Sequence, residues 1–327
     1  MGGYQYVSEF QDAALQASGV PPANLVIASS LFAAPLSIAF DSHNGLWITF
    51  DVIDDNFPPS VIGISRSDLD SIKRGKHVTP KVIVTPRFPG KLAFDRSDNL
   101  WITSDTFVAG KPQATIIELR RSQLETTGRH KPKTSITSPG FNPWVMRFDA
   151  SDDLWVGQFL LASNSVQMLR FAPKDRHASG PANPGLIVNL PYINFVVDLA
   201  FDSAGNLWVA GGGSNGDVLE MISAGDLMGT GEVSPTAAAT ITSSAFGLIN
   251  GSGSCLGGID FDNSGNLWAS VGGFEGGCHP GDTQLVEFTP NQLSAGGNLA
   301  PSVTIGQNPQ KTNLFLPGPL RFGPTLP

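Results

Sequence analysis

The apolar positions of this chain fall into short runs separated by polar, turn-forming stretches. The copy that begins at Leu199 shows the unit well. Leu199-Ala200-Phe201 reads as a short apolar strand. Asp202-Ser203-Ala204-Gly205-Asn206 reads as a tight turn, since Asp and Asn side chains can bond the local backbone and Gly supplies positive φ. Leu207-Trp208-Val209-Ala210 is the returning strand, and Asp217-Val218-Leu219-Glu220-Met221 a third after a glycine-rich loop. A polar hairpin then leads to Ala239-Thr240-Ile241-Thr242, a fourth. The pattern predicts four antiparallel strands in fifty-odd residues.

The phrase joining the first two strands recurs five times. The copies are Phe40-Asp41…Asn44-Gly45-Leu46-Trp47, Phe94-Asp95…Asn99-Leu100-Trp101, Phe148-Asp149…Leu154-Trp155, Phe201-Asp202…Gly205-Asn206-Leu207-Trp208 and Phe261-Asp262…Gly265-Asn266-Leu267-Trp268. Successive Phe-Asp pairs lie 54, 54, 53 and 60 residues apart. Self-similarity at such a period means that each unit buries its apolar face against a neighbouring copy. Four-stranded units of this kind are the blades of a β-propeller. The repeats start near residues 37, 91, 145, 198 and 258 within a single domain spanning 1–327.

A third-strand motif appears six times. It reads Val61-Ile62-Gly63-Ile64, Ile116-Ile117-Glu118-Leu119, Met168-Leu169-Arg170-Phe171, Val218-Leu219-Glu220-Met221, Leu285-Val286-Glu287-Phe288 and, at the start of the chain, Val7-Ser8-Glu9-Phe10. The sixth copy lacks an inner strand of its own, but Gly318-Pro319-Leu320-Arg321-Phe322 matches the start of a repeat. The expectation is therefore an all-β, six-bladed propeller, its ring closed by residues 319–327 together with 4–28 and leaving no open sheet edge. The chain stops at Pro327, where an Asn-Leu-Trp strand would follow, so the closing blade is expected to be short.

Composition narrows the class. Hydrophobic residues make up 41%, charged residues only 15%, with 37 Gly and 25 Pro, which is the signature of a turn-rich globular protein and not a disordered one. No apolar run approaches the roughly 18 residues of a membrane helix. The net charge of −8 argues against a nucleic-acid partner. Residues 66–133 nonetheless hold 14 of the 20 Lys/Arg and 7 of the 28 Asp/Glu, a basic sector (+7) on an acidic body (−15). It reads as a solvated edge or as a surface that steers an anionic partner. The first residues, Met1-Gly2-Gly3-Tyr4, show neither a basic n-region nor an apolar h-region, so the protein is expected to be cytoplasmic or to have lost a signal peptide.

The phrase Phe-Asp-x-x-Gly-Asn-Leu-Trp at about 54-residue spacing resembles the NHL-repeat and SMP-30/gluconolactonase-like six-bladed propellers, and the likeness spans essentially the whole chain. The resemblance implies the fold. For activity it implies a range, because such propellers include lactonases, esterases, phosphotriesterases, a streptogramin lyase, condensing synthases and plain binding modules.

The Phe-Asp…Leu-Trp turns all lie on one face of the ring, and their repeated acids (Asp41, Asp95, Asp149, Asp202, Asp262) read as turn-formers. Connections from second to third strand, and from blade to blade, lie on the opposite face over the channel mouth, where a pocket can form. The informative positions are those where copies differ. Three residues before each Phe stand Ser37, Lys91, Val145, Asp198, Gly258 and Pro319, of which Lys91 and Asp198 would project near the axis. Four residues after the Trp, Asp51 and Asp105 occupy adjacent blades in matching Trp-Ile-Thr-x-Asp contexts. Asn142, Trp144, Gln158 and Phe159 are the third blade's share of this face, and Phe50 joins them as a candidate ligand-binding residue.

Three readings of this polar centre stand side by side. Asp51, Asp105 and Asp198 could hold Ca²⁺ or another divalent cation that polarises an ester or phosphoryl oxygen and activates water. Lys91 could serve as a desolvated nucleophile or base tuned by nearby carboxylates. Alternatively, Lys91 and the acids form ion pairs that plug the channel. The resemblance implies metal ligands four residues before the Phe position, where this chain has Leu36, Gly90, Trp144, Val197, Gly257 and Gly318, so Asp198 matches only with a one-residue shift.

His77, His130 and His177 fall in equivalent rim hairpins and His43 in a turn. His279, beside Glu275 in a pocket-face loop, is the candidate general base among the histidines. No Ser-His-Asp order, phosphate loop or zinc spacing is visible, and no organic cofactor is expected. Cys255 and Cys278, the only cysteines, flank one blade on the pocket face and are expected to form a disulfide, which points to an oxidising compartment and a secreted or periplasmic protein. Asn250-Gly251-Ser252 fits a glycosylation sequon. The combined expectation is a monomeric hydrolase of esters, lactones or phosphotriesters, with Asp198, Lys91 and His279 as catalytic candidates and a small molecule as its partner. The alternative is a non-catalytic ligand- or protein-binding propeller.

Overall fold

The computed structural model describes residues 6–28, 35–50, 60–73, 82–84, 86, 89–108, 111–137, 141–160, 165–213, 216–246, 255–272, 284–306 and 320–323. Five antiparallel blades follow the five repeats. From the axis outward, blade 1 is Pro35–Phe40, Leu46–Phe50, Ser60–Ile64 and Val82–Val84. Blade 2 is Leu92–Phe94, Leu100–Val108, Lys111–Leu119 and Thr134–Thr137. Blade 3 is Pro143–Phe148, Leu154–Leu160, Ser165–Phe171 and Leu186–Leu190. Blade 4 is Ile193–Phe201, Leu207–Gly213, Gly216–Ile222 and Ala239–Thr242. Blade 5 is Leu256–Phe261, Leu267–Val271, Gln284–Phe288 and Val303–Ile305.

The repeated phrase folds the same way each time. The Asp carboxylate accepts from the backbone N–H groups two and four residues on, and its second oxygen accepts from the Trp indole six residues on. In blade 4 Asp202 takes the N–H of Ala204 and Asn206 (both 2.9 Å) and the indole N–H of Trp208 (3.2 Å). In blade 1 Asp41 takes His43 (2.9 Å), Gly45 (2.8 Å) and Trp47 (2.9 Å). The fourth turn residue sits at positive φ in every copy: Asn44, Asp98, Asp152, Gly205 and Gly265. Only Gly, Asn and Asp adopt that conformation cheaply, which accounts for the residue choice.

Each Trp, once anchored, packs on the Phe of the following unit. Trp47 meets Phe94 (5.8 Å between ring centroids), Trp101 meets Phe148 (6.1 Å), Trp155 meets Phe201 (5.9 Å) and Trp208 meets Phe261 (6.3 Å). Trp101, Trp155, Trp208 and Trp268 are each 1% exposed, so one residue both closes its own turn and seals the joint between blades. The open edge of each fourth strand is then covered by the next unit's outer hairpin. Gly180–Pro181 pairs in parallel with blade 2, Gly231–Val233 with blade 3 and Gly297–Asn298 with blade 4.

Among the described residues there are five blades, not the six expected, of which the closing one was to be short. The N-terminal motif forms a separate two-stranded sheet, Tyr6–Glu9 against Leu25–Ala28. Residues 1–327 contain no sixth Leu-Trp strand to pair with Tyr6–Glu9, and residues 307–319 and 324–327 lie outside the described residues. The two-stranded sheet has neighbours on both sides. Gly19 bridges Ile305 of blade 5, Phe10 and Leu15 pack with Trp268, and Val7 and Ile27 pack with Ile48 and Leu69 of blade 1. One register also differs from the sequence pattern. Glu118 and Glu287 oppose Trp101 and Trp268, but Met221 opposes Trp208, which puts Glu220 on the other side of blade 4. A strand buried on both faces gives no alternation to read, so a slip of one residue goes unseen. No helix among the described residues is long and apolar enough to cross a membrane.

Candidate functional site at the channel mouth

The inner strands bulge at their mouth ends. Pairing skips one residue between Pro35 and Ser37, between Pro143 and Val145, between Val196 and Asp198, and between Leu256 and Gly258. In blade 2 Thr103 is likewise shared: Gly90 N–H donates to its carbonyl (2.8 Å), and its own N–H donates to the Lys91 carbonyl (2.9 Å). A bulge in each copy re-aims the side chains beside it. Leu36, Gly90, Trp144, Val197 and Gly257 are the extra residues, and Ser37, Lys91, Val145, Asp198 and Gly258 follow them.

Past the bulge, strand alternation puts the residues three and one before each Phe on the same side. The first set contains Lys91 and Asp198. The second reads Ala39, Ala93, Arg147, Ala200, Asp260 and Arg321, and its charged members were not among the residues singled out from sequence. The signal was present in that column as three charges among three alanines.

These charges meet across the axis. Arg147 of blade 3 pairs with Asp260 of blade 5 at 2.9 Å, and the other oxygen of Asp260 accepts from Phe322 N–H (2.8 Å). Arg321, from the segment 320–323, grips Asp198 with both guanidinium nitrogens (2.6 and 3.1 Å). The Asp198 oxygens also accept from Leu199 N–H (2.9 Å) and Ile259 N–H (3.1 Å). Burial works to raise the Asp198 carboxyl, but Arg321, with Arg147 and Lys91 behind it, holds it below the usual carboxylate range. Burial works to lower the Arg321 guanidinium, and Asp198 and Asp260 more than offset it.

Lys91 stands apart. Its backbone is fixed by the Thr103 hydroxyl, which accepts its N–H at 2.8 Å, and its ammonium donates to the Leu36 carbonyl at 3.1 Å. The side chain is half-buried. Burial lowers its pKa, Arg321 adds to that and Asp198 opposes it. Lys91 and Asp198 are thus brought to the same channel, as expected from sequence, but Asp198 is taken up by an arginine that sequence reading did not pair with it.

The other candidates disperse. Phe50 is buried in the apolar cluster of Ile48, Ile62 and Ile27. Asp105 lies half-buried on the second strand of blade 2, opposite Ala114. Asn142 exchanges 3.4 Å hydrogen bonds with the backbone of Phe159, whose ring packs toward the blade 3–4 core. Trp144, 39% exposed at its bulge, stands edge-on to Phe195 at 4.9 Å. Gln158 heads a row of amides: its Nε2 donates to Gln167 (3.0 Å), Gln167 to Asn189 (2.8 Å) and Asn189 to the Glu232 carboxylate (2.9 Å). A carboxylate only accepts, so Glu232 sets the direction of the whole row and leaves Gln158 Oε1 buried and unpaired. Asp51, His279 and Cys278 lie outside the described residues. Cys255 is buried, and its N–H donates to Asp217 at 2.7 Å.

Ca²⁺ takes six to eight oxygen ligands, several of them carboxylate. Asp198 has no oxygen to spare, and no group of three or more His, Cys, Asp or Glu suited to a metal occurs among the described residues. Asp198 therefore does not fit the ion.

Repeated Phe-Asp…Trp turns, radial four-stranded sheets and ion pairs crossing a common axis decide the architecture. This chain is a β-propeller. Comparison with solved structures agrees. Regucalcin from Agrobacterium tumefaciens, described as a calcium-binding protein, shares 15% identity over 88% of this chain and 79% of its own, with a TM-score of 0.50. A luciferin-regenerating enzyme shares 10% identity over 90% of this chain and 81% of its own, with a TM-score of 0.54. A putative gluconolactonase is similar at 10% identity over 83% and 90% of the two chains, with a TM-score of 0.44. At these identities the likeness is one of fold. The sequence matches no protein-family model and no curated protein.

Proposed function

We propose that this propeller hydrolyses a small ester, lactone or phosphotriester at the mouth of its channel. The observation that carries the reading is the contrast at the axis between charges that are ion-paired and one that is not. Asp198–Arg321 and Arg147–Asp260 are ion pairs, whereas among the described residues the Lys91 amine has no carboxylate in ion-pair contact. An amine so placed can polarise a carbonyl or phosphoryl oxygen as the ammonium, or act as a base or nucleophile when neutral; burial moves it toward the second role. The propeller neighbours include a protein named as a luciferin-regenerating enzyme, which suits a catalytic use of this fold.

A divalent cation is kept as a second element of the proposal only at Asp51 and Asp105, because one neighbour is described as calcium-binding. No step is derived through it. The sixth blade is proposed as well: Phe322 packs on Trp268 (6.2 Å) as the other Phe residues do on their Trp partners, and the Gly323 backbone lies under the Phe40 ring. A Cys255–Cys278 disulfide, export to an oxidising compartment and a monomeric state complete the reading, with neither nucleic acid nor membrane as partner. Buried Cys255 supports the disulfide, since the described residues contain no free cysteine.

The test is a panel of esters, lactones and phosphotriesters assayed with and without EDTA on the wild type and on Lys91→Met. Turnover lost in Lys91→Met but kept in EDTA supports the amine, and turnover lost in EDTA supports the cation. A non-catalytic binding propeller, favoured by the full engagement of Asp198, is the outcome if nothing turns over.

A further inference from the structure

The charges along the channel do not balance. Among the described residues three cations meet there, Lys91, Arg147 and Arg321, against two carboxylates, Asp198 and Asp260. Both carboxylates are already engaged. Each oxygen of Asp198 accepts from Arg321 and from a backbone N–H, and the oxygens of Asp260 accept from Arg147 and from Phe322 N–H. Lys91 is left with one carbonyl, that of Leu36, for an ammonium that carries three donors. The nearby charges acting on it are Asp198, attractive, and Arg321, repulsive, so the acid that could have served it is already shared.

A half-buried cation without an anionic partner is costly unless something supplies one. The surroundings favour that something being a ligand. Lys91 follows the bulge of its own strand, and its ammonium reaches the carbonyl of Leu36, the extra residue of the bulge in the preceding blade. Partial burial of Lys91 strengthens any Coulombic contact made there. We propose that the mouth of the channel binds a small oxyanion, a carboxylate or phosphate group, on the Lys91 ammonium. The proposal deepens the hydrolase reading, because cleaving an ester or lactone releases such a carboxylate, but it can be tested without turnover.

The experiment titrates the full chain with [1-¹³C]acetate followed by ¹³C NMR, with acetamide as the neutral isostere and inorganic phosphate as competitor. The expected result is a saturable acetate shift that phosphate displaces and that acetamide does not produce. Lys91→Met is expected to weaken binding by about tenfold or more, the scale on which one good charge contact is read, while Lys91→Arg retains it. Lys91→Gln is the second neutral variant if Met does not fold. Acetate binding no better than acetamide, or equal binding to Lys91→Met and wild type, overturns the proposal. Acetate binding without turnover of any ester, lactone or phosphotriester leaves the anion site standing and removes the hydrolase. Turnover without acetate binding does the reverse.

Discussion

The two ends of each inner strand obey opposite rules. At the turn end, in all five copies, an Asp accepts hydrogen bonds from two backbone amides and an indole. At the mouth end the corresponding column reads Ser37, Lys91, Val145, Asp198 and Gly258, and no two copies agree. The turn end solves one packing problem five times, so its acids are structural even though they are the most conspicuous in the sequence. The mouth end has no such common problem. Its charges pair across the ring instead of along the chain, as Arg147 does with Asp260 and Arg321 with Asp198.

The comparison is broken most severely at the turn end. Trp208→Ala removes a residue that is 1% exposed, holds Asp202 and packs on Phe261. It is expected to cost about 3–5 kcal/mol, as large aromatic truncations in cores do. A urea titration checks this, and a loss under about 1 kcal/mol would show that the blade joints are not held by the Trp–Phe contacts.

At the mouth end the largest effect is expected from Arg321→Ala, which leaves Asp198 buried with an uncompensated charge. Breaking a buried pair from one side costs about 3–5 kcal/mol, whereas replacing both members by apolar residues is often neutral. Arg321→Met combined with Asp198→Leu should therefore recover most of the loss. If the double variant is as unstable as the single one, the cost lies in the lost backbone contacts of segment 320–323 and not in the stranded charge.

These two ends also differ in how far they could be read from sequence. The turn phrase was legible because every bond in it is local, within six residues, and was written out five times. The bulges were not, since the skipped residue is apolar or glycine in every copy and leaves no mark. Arg147, Asp260 and Arg321 were passed over because the columns compared stand three and four residues before the Phe; strand alternation places the column one before the Phe on the same side as the one three before. The slip in blade 4 had the same root as the bulges. Val218, Leu219 and Glu220 are all buried, so no polar alternation marked which of Glu220 and Met221 stands opposite Trp208.

Within the turn face a smaller contrast separates blades 1–3 from blades 4 and 5. Where the latter have Gly205 and Gly265, blades 2 and 3 have Asp98 and Asp152, whose carboxylates reach the preceding blade at Ser42 N–H (2.9 Å) and Arg96 N–H (2.8 Å). Burial tends to raise Asp98, but the Ser42 hydroxyl and N–H, with Arg121 and His43, hold it below its ordinary value. An acid with a lowered folded pKa contributes stability that is present above its unfolded pKa and is lost as pH falls through the folded one. Asp98→Gly, a residue that suits the positive φ, is thus expected to cost about 1 kcal/mol at pH 7 and progressively less below pH 4. An unchanged pH dependence of Tm would show that the ionised Asp98 does not tie blade 2 to blade 1.

The smallest expected effect has the opposite sign. Glu220, turned by the register of blade 4 away from the Trp208 side, is a buried carboxyl whose pKa burial raises. Its folded form holds the proton more tightly than its unfolded form, so ionisation opposes folding: stability falls as pH rises from the ordinary glutamate range through the folded pKa. Glu220→Gln removes that penalty while keeping shape and hydrogen-bonding capacity. A modest rise in Tm at pH 8 and none at pH 4 is expected from scanning calorimetry across that range. A rise of equal size at both values would mean that packing, not charge, limits this strand. No rise at either would place the Glu220 carboxylate in water, and the raised pKa with it would lose its cause.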